Sequence, residues 1–384
     1  MLKRIIITIF TMLISYSGLF AAEAWEKSYG TRNTTNDIFF IDKNTGWAVS
    51  SDGIVVHTTD GGDTWTEQYA GTNVRMTSLS FINKTTGWAC GMDGTVIYTN
   101  DAGENWQDRC IEPLTDLRQV LFLNENDGWT VGEKGLIMRT HNGGKTWGKI
   151  ASGTDIVLDN ICFADNLNGW IGGTKWDYDS NPWEKHGVLL HTTDSGNNWT
   201  LTDEFKDNAI YDIYFVNSYL GFISGDDGFL TKTTNGGKTW EVQETPVDDE
   251  PIYSMSFLNE NEGWATGGWR TQGFVLNKTE KKDKIDSSKT DNKSENLGVN
   301  NISIDEDGAV VVTGIIMDRQ PMSEAVKNDC GIILHTSDGG ITWEHISSIH
   351  ELDYIVKIQF FDKNTGFLCG GNRGGVYKSV SGGK

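Results

Sequence analysis

Short apolar runs separated by polar turns recur along the whole chain. Residues 36–68, NDIFFIDKNTGWAVSSDGIVVHTTDGGDTWTEQ, show the unit. DIFFI is apolar and rich in strand formers, and KNTG is a turn. GWAVS is a second strand, SDG a tight turn, and GIVVHTT a third strand. TDGGDTW then closes a hairpin into WTEQY. Each run is strand-length and bounded by Gly, Asn, Asp or Ser, so the unit predicts four antiparallel strands joined by short turns.

The unit repeats. A Gly-Trp or Gly-Phe pair stands at Gly46-Trp47, Gly87-Trp88, Gly128-Trp129, Gly169-Trp170, Gly221-Phe222, Gly263-Trp264 and Gly366-Phe367, with a period near 41 residues over the first four. The wide gap before the last pair contains a worn unit, VNNISIDEDGAVVVTGII, followed by a clear GIILHTSDGGITW. A four-stranded unit at this period, with Gly and aromatics at fixed places, predicts an all-β fold: a single β-propeller of four-stranded antiparallel blades. Counting the worn unit gives eight blades; seven is the alternative if the worn sixth and seventh units merge.

The last unit stops at KSVSGGK, without its tryptophan and outer strand. Near the other end, AWEKS resembles the missing piece, as in GGKTWEVQ at 236–243. The segment Trp25–Ser28 is therefore expected to complete the last blade and tie the two ends of the propeller together.

The turn phrase TxDGGxTW recurs at Asp60–Trp65, Asp101–Trp106, Asn142–Trp147, Asp194–Trp199, Asn235–Trp240 and Asp338–Trp343. A side-chain oxygen that accepts turn N–H groups, glycines at positive φ and a large apolar ring make this a structural device. Every blade carries it, which argues against a shared catalytic or calcium role.

Residues 1–24 read as a secretory signal peptide. Lys3 and Arg4 precede an apolar run from Ile5 to about Leu19, and Ala22-Glu23-Ala24 is an A-x-A cleavage pattern. The propeller is then residues 25–384, an exported, periplasmic or extracellular protein expected to be a monomer. No later segment is apolar enough to span a bilayer. The net charge of −21 argues against a nucleic-acid binder, which needs clustered Lys and Arg. Cys90 and Cys369 fall at the same place in units far apart and read with Cys162 as buried thiols; a bridge involving Cys110 and Cys330 stays open. No Cys or His spacing suggests a metal, and no cofactor is implied.

Insertions mark one face. Residues 174–186 lie between the second and third strands of unit four, 317–329 at the equivalent place in the worn unit, and GGWRTQG at 267–273 in unit six. The charged segment 278–298 reads as a replacement for the Asp-box of unit six. On this face Trp176, Tyr178, Trp183, Trp269 and Arg270 are candidate binding residues, since aromatics and Arg favour recognition sites. The starts of the inner strands add Asp37, Thr77, Arg118, Asp159, Tyr211 with Asp212, Tyr253, and Tyr354 with Lys357 as one polar ring at the channel mouth.

The blade phrase, GWAVGxxGxIxxTxDGGxTW in outline, resembles the photosystem II stability and assembly factor family of propellers, within the wider class of Asp-box (BNR) repeat proteins. The resemblance implies a lumenal or periplasmic protein that binds membrane-protein partners during assembly. The photosynthetic members are seven-bladed and use a basic surface for this, whereas this chain is acidic and has nine Arg. The implied function is an exported, non-catalytic binding or assembly scaffold for an envelope or membrane protein or a glycan. The alternative is a glycoside hydrolase or carbohydrate-binding propeller, because the Asp-box class includes sialidases and xyloglucan-cleaving enzymes. The chain has no Arg-Ile-Pro sequence and no GxSxG elbow. Asp159 and Asp212, on neighbouring units, are the carboxylate pair to examine. Such a pair works at about 5–5.5 Å separation in retaining enzymes and roughly 6.5–9.5 Å in inverting ones.

Overall fold

The structure, a computed structural model, describes residues 24–30, 33–111, 115–177, 180, 184–202, 204–247, 249–268, 302–304, 310–312, 330–371 and 374–383. It is a propeller of seven four-stranded antiparallel blades. Blade one is Thr35–Phe40, Gly46–Ser50, Val55–Thr58 and Thr66–Gln68, running from the channel outward. Blades two, three, four and five repeat this order from Met76, Leu117, Leu158 and Asp212. The signal-peptide reading falls on residues that lie outside the description, apart from Ala24. No helix among the described residues is long and apolar enough to cross a membrane.

The expected eighth blade does not exist. Blade six joins Ile252–Phe257 and Gly263–Gly267 directly to Gly331–Thr336 and Glu344–Ile349. The worn unit supplies a separate two-stranded ribbon, Ile302–Ile304 against Val310–Val312. It lacks the aromatic pair and the Asp-box that every true blade uses to hold its neighbour. The Asp-box of blade six is the one at Asp338, so residues 278–298 do not replace it. Residues 267–273, 278–298 and 317–329 all belong to one connection, between the second and third strands of blade six. The insertions therefore enlarge two blades, four and six.

The ring closes as expected. Glu26–Tyr29 pairs with Val376–Ser379 as the outer strand of blade seven, whose inner strands are Ile355–Phe360 and Gly366–Gly370. Trp25 is 5% exposed and meets Phe360 edge-on, centroids 5.8 Å apart. Trp65 and Phe40 in blade one make the same contact at 5.8 Å. Trp25 thus occupies the place of an Asp-box tryptophan at the seam between the chain's two ends.

Two devices repeat around the ring. The aromatic of each Gly-Trp or Gly-Phe pair packs on the last Phe of the next blade's inner strand. Centroid distances run from 3.6 Å for Trp47–Phe81 to 4.7 Å for Trp129–Phe163, and Phe367–Phe40 at 3.8 Å completes the circle. The glycine before it leaves room for the Phe of its own blade: a Cβ at Gly46 would lie 2.3 Å from the Phe40 ring. In the Asp-box, Thr58 Oγ1 accepts the Gly62 N–H at 2.9 Å and Asp60 Oδ1 accepts the Thr64 N–H at 2.9 Å. Gly61 and Gly62 take φ of +71° and +82°, as a turn of this kind requires. The acidic turns are scaffold, as their recurrence implied. In blade seven Ser379, Ser381 and Gly383 keep the turn without an acid.

All five cysteines are free thiols. Cys90 and Cys369 are buried at equivalent places on second strands, and burial pushes the Cys90 thiol up to about 12. Cys330 is buried and Cys110 exposed, and they are not bridged.

Candidate functional site

The candidate site is the channel mouth on the face opposite the Asp-boxes, and it is built by a defect repeated in the inner strands. In six blades the pairing register slips by one residue near the strand start: between Thr35 and Asp37, Met76 and Ser78, Leu117 and Gln119, Leu158 and Asn160, Ile252 and Ser254, and Ile355 and Lys357. Each slip is a β-bulge, which leaves one residue outside the ladder and re-aims its side chain. The extra residues are Asn36, Thr77, Arg118, Asp159, Tyr253 and Val356, and Tyr211 stands at the same place in blade five. All seven are half-buried. They form a mouth tier.

The next residue in each blade belongs to a deeper lumen tier: Asp37, Ser78, Gln119, Asn160, Asp212, Ser254 and Lys357. These side chains stitch blade to blade. Asp37 Oδ2 accepts the Leu79 N–H at 2.8 Å, and Gln119 Oε1 accepts the Ile161 N–H at 2.5 Å. Asp212 accepts from the Met255 N–H at 2.8 Å and from Asn160 Nδ2 at 2.9 Å. The polar ring expected from sequence is therefore two rings. Thr77, Arg118, Asp159, Tyr211 and Tyr253 belong to the mouth, whereas Asp37, Asp212 and Lys357 belong to the lumen. Tyr354 is buried beneath the mouth, against Tyr253.

The lumen holds one cation between two acids. Burial raises the Asp37 and Asp212 carboxyls above their ordinary value, and Lys357 opposes the shift in both. Burial pulls the Lys357 ammonium down, but Asp212 and Asp37 outweigh it and hold its pKa above the usual lysine value. Asp212 is 5% exposed with both oxygens engaged, so it cannot serve as the second carboxylate of a hydrolytic pair with Asp159.

At the mouth Arg118 is shared by two acids. Its Nη2 donates to Glu133 Oε1 at 3.2 Å, and its Nε lies 3.8 Å from Asp159 Oδ1. Asp159 is a third exposed but walled by three blades. Burial pushes its carboxyl up to about 6, with Glu133 adding to the rise and Arg118 opposing it.

The insertion of blade four is a continuation of its sheet. Strands Gly169–Asp177 and Glu184–Thr192 stay paired as far as Asp177 and Glu184. Lys185 pins this hairpin to blade five through Asp226 at 3.2 Å and a shorter contact with Asp227. Trp176 sits opposite Lys185 in the hairpin, 6.0 Å from its ammonium, and hydrogen-bonds the Tyr211 hydroxyl. Tyr211 and Tyr253 lie with ring centroids 5.1 Å apart, and Tyr253 meets Tyr354 edge-on at 6.2 Å. An aromatic arc thus runs from blade four, beside Asp159, to blade seven.

Of the sequence candidates, the structure brings together Trp176, Arg118, Asp159, Tyr211 and Tyr253. Tyr178, Trp183, Trp269 and Arg270 lie outside the described residues. Glu133, Lys185 and Asp226 are not marked by the sequence, because Glu133 and Asp226 lie in turns, Lys185 lies in the extended hairpin, and the partner of each lies on another strand or blade. The lumen residues Asn160 and Gln119 were legible in principle: each stands three places before the Phe that ends an inner strand.

The family comparison fits the blade phrase. The model of the photosynthesis system II assembly factor YCF48 matches residues 19–113, 110–204 and 201–293. This chain belongs to that family. A curated relative, the chloroplastic photosystem II stability/assembly factor HCF136 of Oryza sativa subsp. japonica, is 33% identical over 76 residues, a match that covers 17% of this chain and 18% of that protein. Among solved structures, a YCF48 bound to D1 peptide is similar at TM-score 0.63 and 18% identity, over 93% of this chain and 95% of that one. YCF48 from Cyanidioschyzon merolae aligns at TM-score 0.62 and 18% identity, over 93% and 98%. The GH74 xyloglucanase from Xanthomonas campestris aligns at TM-score 0.62 and 11% identity, over 93% of this chain and 53% of the enzyme. At these identities the structural likeness establishes the fold, which the YCF48 family and a glycosidase share.

Proposed function

We propose that this chain is an exported, non-catalytic, monomeric propeller that holds a segment of another protein at the mouth of its channel, on the face bearing the bulges and the long hairpin. The observation that carries this reading is the mouth tier itself. Six side chains are lifted out of the blade ladders by bulges and left half-buried, Tyr211 stands with them, and the aromatic arc they share is fastened by Lys185 and the Trp176–Tyr211 hydrogen bond. Fixed aromatics with a few charged groups suit recognition of a polypeptide. A family relative solved with a peptide bound lends support. Export rests on the signal-peptide pattern at 1–24, and it would place a partner in the cell envelope.

A hydrolase needs two carboxyls open to one substrate, and of the proposed pair Asp159 alone faces the mouth. The test is an affinity pull-down from cell-envelope extract with the parent protein and a Trp176→Ala, Tyr253→Ala double variant, with a glycan array run on both. A protein captured by the parent and lost on the variant supports the reading. Glycan binding without a protein partner restores the carbohydrate alternative. A partner that binds both proteins equally places the site elsewhere.

A further inference from the structure

We propose that the mouth recognises a cationic side chain, a lysine or arginine, of the polypeptide it holds. This deepens the proposed function and rests on it. Arg75 at the mouth donates to the Asn36 amide oxygen, and three further cations at or below the mouth each face two acids. Arg118 faces Glu133 and Asp159, Lys185 faces Asp226 and Asp227, and Lys357 faces Asp37 and Asp212. Six acids against four cations leave a negative surplus, in a chain whose net charge is already −21.

Two further observations say what kind of group would settle there. Asn160 is 7% exposed in the lumen tier, directly after Asp159 in the chain. Its Nδ2 is committed to Asp212, and among the described residues its Oδ1 has no hydrogen-bond donor, so a buried acceptor is left unpaired there. The Tyr211 and Tyr253 rings, half-buried and 5.1 Å apart, put electron-rich faces at the same rim. An ammonium or guanidinium gains from carboxylate, carbonyl and ring together. An anion meets only surplus negative charge, and an apolar side chain leaves the Asn160 oxygen orphaned. A metal ion is a poorer fit, because no group of three or more His, Cys, Asp or Glu among the described residues could hold one.

The experiment probes the full chain with a library of short random peptides in which one central position is Lys, Arg, norleucine, Gln or Glu. Each peptide is titrated against the parent, Asp159→Asn, Glu133→Gln and Glu104→Gln. The last removes the same charge on the Asp-box face and serves as control. Glu133 is a third exposed and outside the blade ladders, so its variant keeps the test open should Asp159→Asn destabilise the fold. Lys- and Arg-centred peptides are expected to bind above the other classes, with affinity falling about tenfold in the mouth variants and unchanged in the control. Equal binding of Lys and norleucine peptides, preference for Glu, mouth variants that match the parent, or no binding by any peptide would each overturn the inference. Should charge-blind peptides coincide with a partner lost on the Trp176 and Tyr253 variant, the proposed function stands and this inference falls. If no partner is captured either, both fall.

Discussion

Trp25→Ala is the most direct test of how the ring is held shut. Trp25 is nearly enclosed by Trp264, Ile333, Leu352, Ile358, Phe360 and their neighbours at the junction of blades six and seven. Burying an indole removes about 200 Å² from water, worth about 5 kcal/mol at about 25 cal/mol per Å². Its Nε1–H has no acceptor among the described residues, and that orphan offsets about 1 kcal/mol of the gain. The net expectation is a loss of about 4 kcal/mol, within the range of about 3–5 known for Trp→Ala in cores. Urea unfolding of the purified variant against the parent measures it, provided the slope of free energy on urea is unchanged. Tyr69→Ala, at a site 85% exposed, is the control and should shift stability by no more than about 0.5 kcal/mol. A loss below about 1 kcal/mol for Trp25→Ala would mean that the terminal strand lies against the blade without closing it, and the reasoning from burial would fail.

Other expectations concern charge. Lys357→Met should cost about 2–4 kcal/mol at neutral pH by leaving Asp37 and Asp212 uncompensated. Both folded carboxyls stand above the ordinary 3.8, so their favourable contribution is complete below that value and is lost as pH rises through the raised folded pKa. The variant's deficit should therefore shrink on acidification, as read from urea midpoints across pH. The Asp159 carboxyl, followed by carbon-detected NMR, should titrate near 6, and Arg118→Leu should move the midpoint upward because the opposing cation is gone. Asp338 is held down to about 2, first by the Thr342 hydroxyl and then by its N–H, so its contribution is present above 3.8 and lost as pH falls toward 2. Asp338→Ala should lower thermal stability by about 1 kcal/mol. Asp338→Asn should be nearly neutral, since Asn142 and Asn235 fill that place natively and accept the same turn N–H.

Much of the frame was legible because the physics that builds a blade is local. Gly46-Trp47 and its counterparts announce a second strand, and Asp60–Trp65 a hairpin, within a few residues of each other. Trp25 is assignable to blade seven because its surroundings, GGK before and EKS after closure, reproduce the glycines and tryptophan of an Asp-box, with Ser381 in place of the acid. The blade count was misread where the local rule was followed without its partner. Residues 302–304 and 310–312 look like strands and are strands, but the sequence of the worn unit carries no aromatic pair to mark a blade. The long connection that carries them adds little cost, since each doubling of a loop costs about 0.6 kcal/mol. The mouth was half legible. Arg118, Asp159, Tyr211 and Tyr253 stood out as polar or aromatic residues at strand starts, but a bulge leaves no mark in composition, so Asp37 and Lys357 were placed beside them although they lie one step deeper. Lys185 and Asp226 pair across blades 41 positions apart, a contact that only the folded ring creates.

The repeated bulge separates two kinds of information in one strand. Residues that alternate within the ladder must satisfy the blade on one side and its neighbour on the other, so a change there propagates through the frame. The extra residue stands outside the ladder, but it still reaches the next blade at some positions: Asn36 Nδ2 donates to the Met76 carbonyl at 2.6 Å and Thr77 Oγ1 to that of Leu117 at 2.9 Å. Around one opening, side chains outside the ladders can change character while the aromatic stacks and Asp-boxes stay as they are. A wheel built this way is one lock body whose pins can differ, and relatives with the same blades are free to accept different keys.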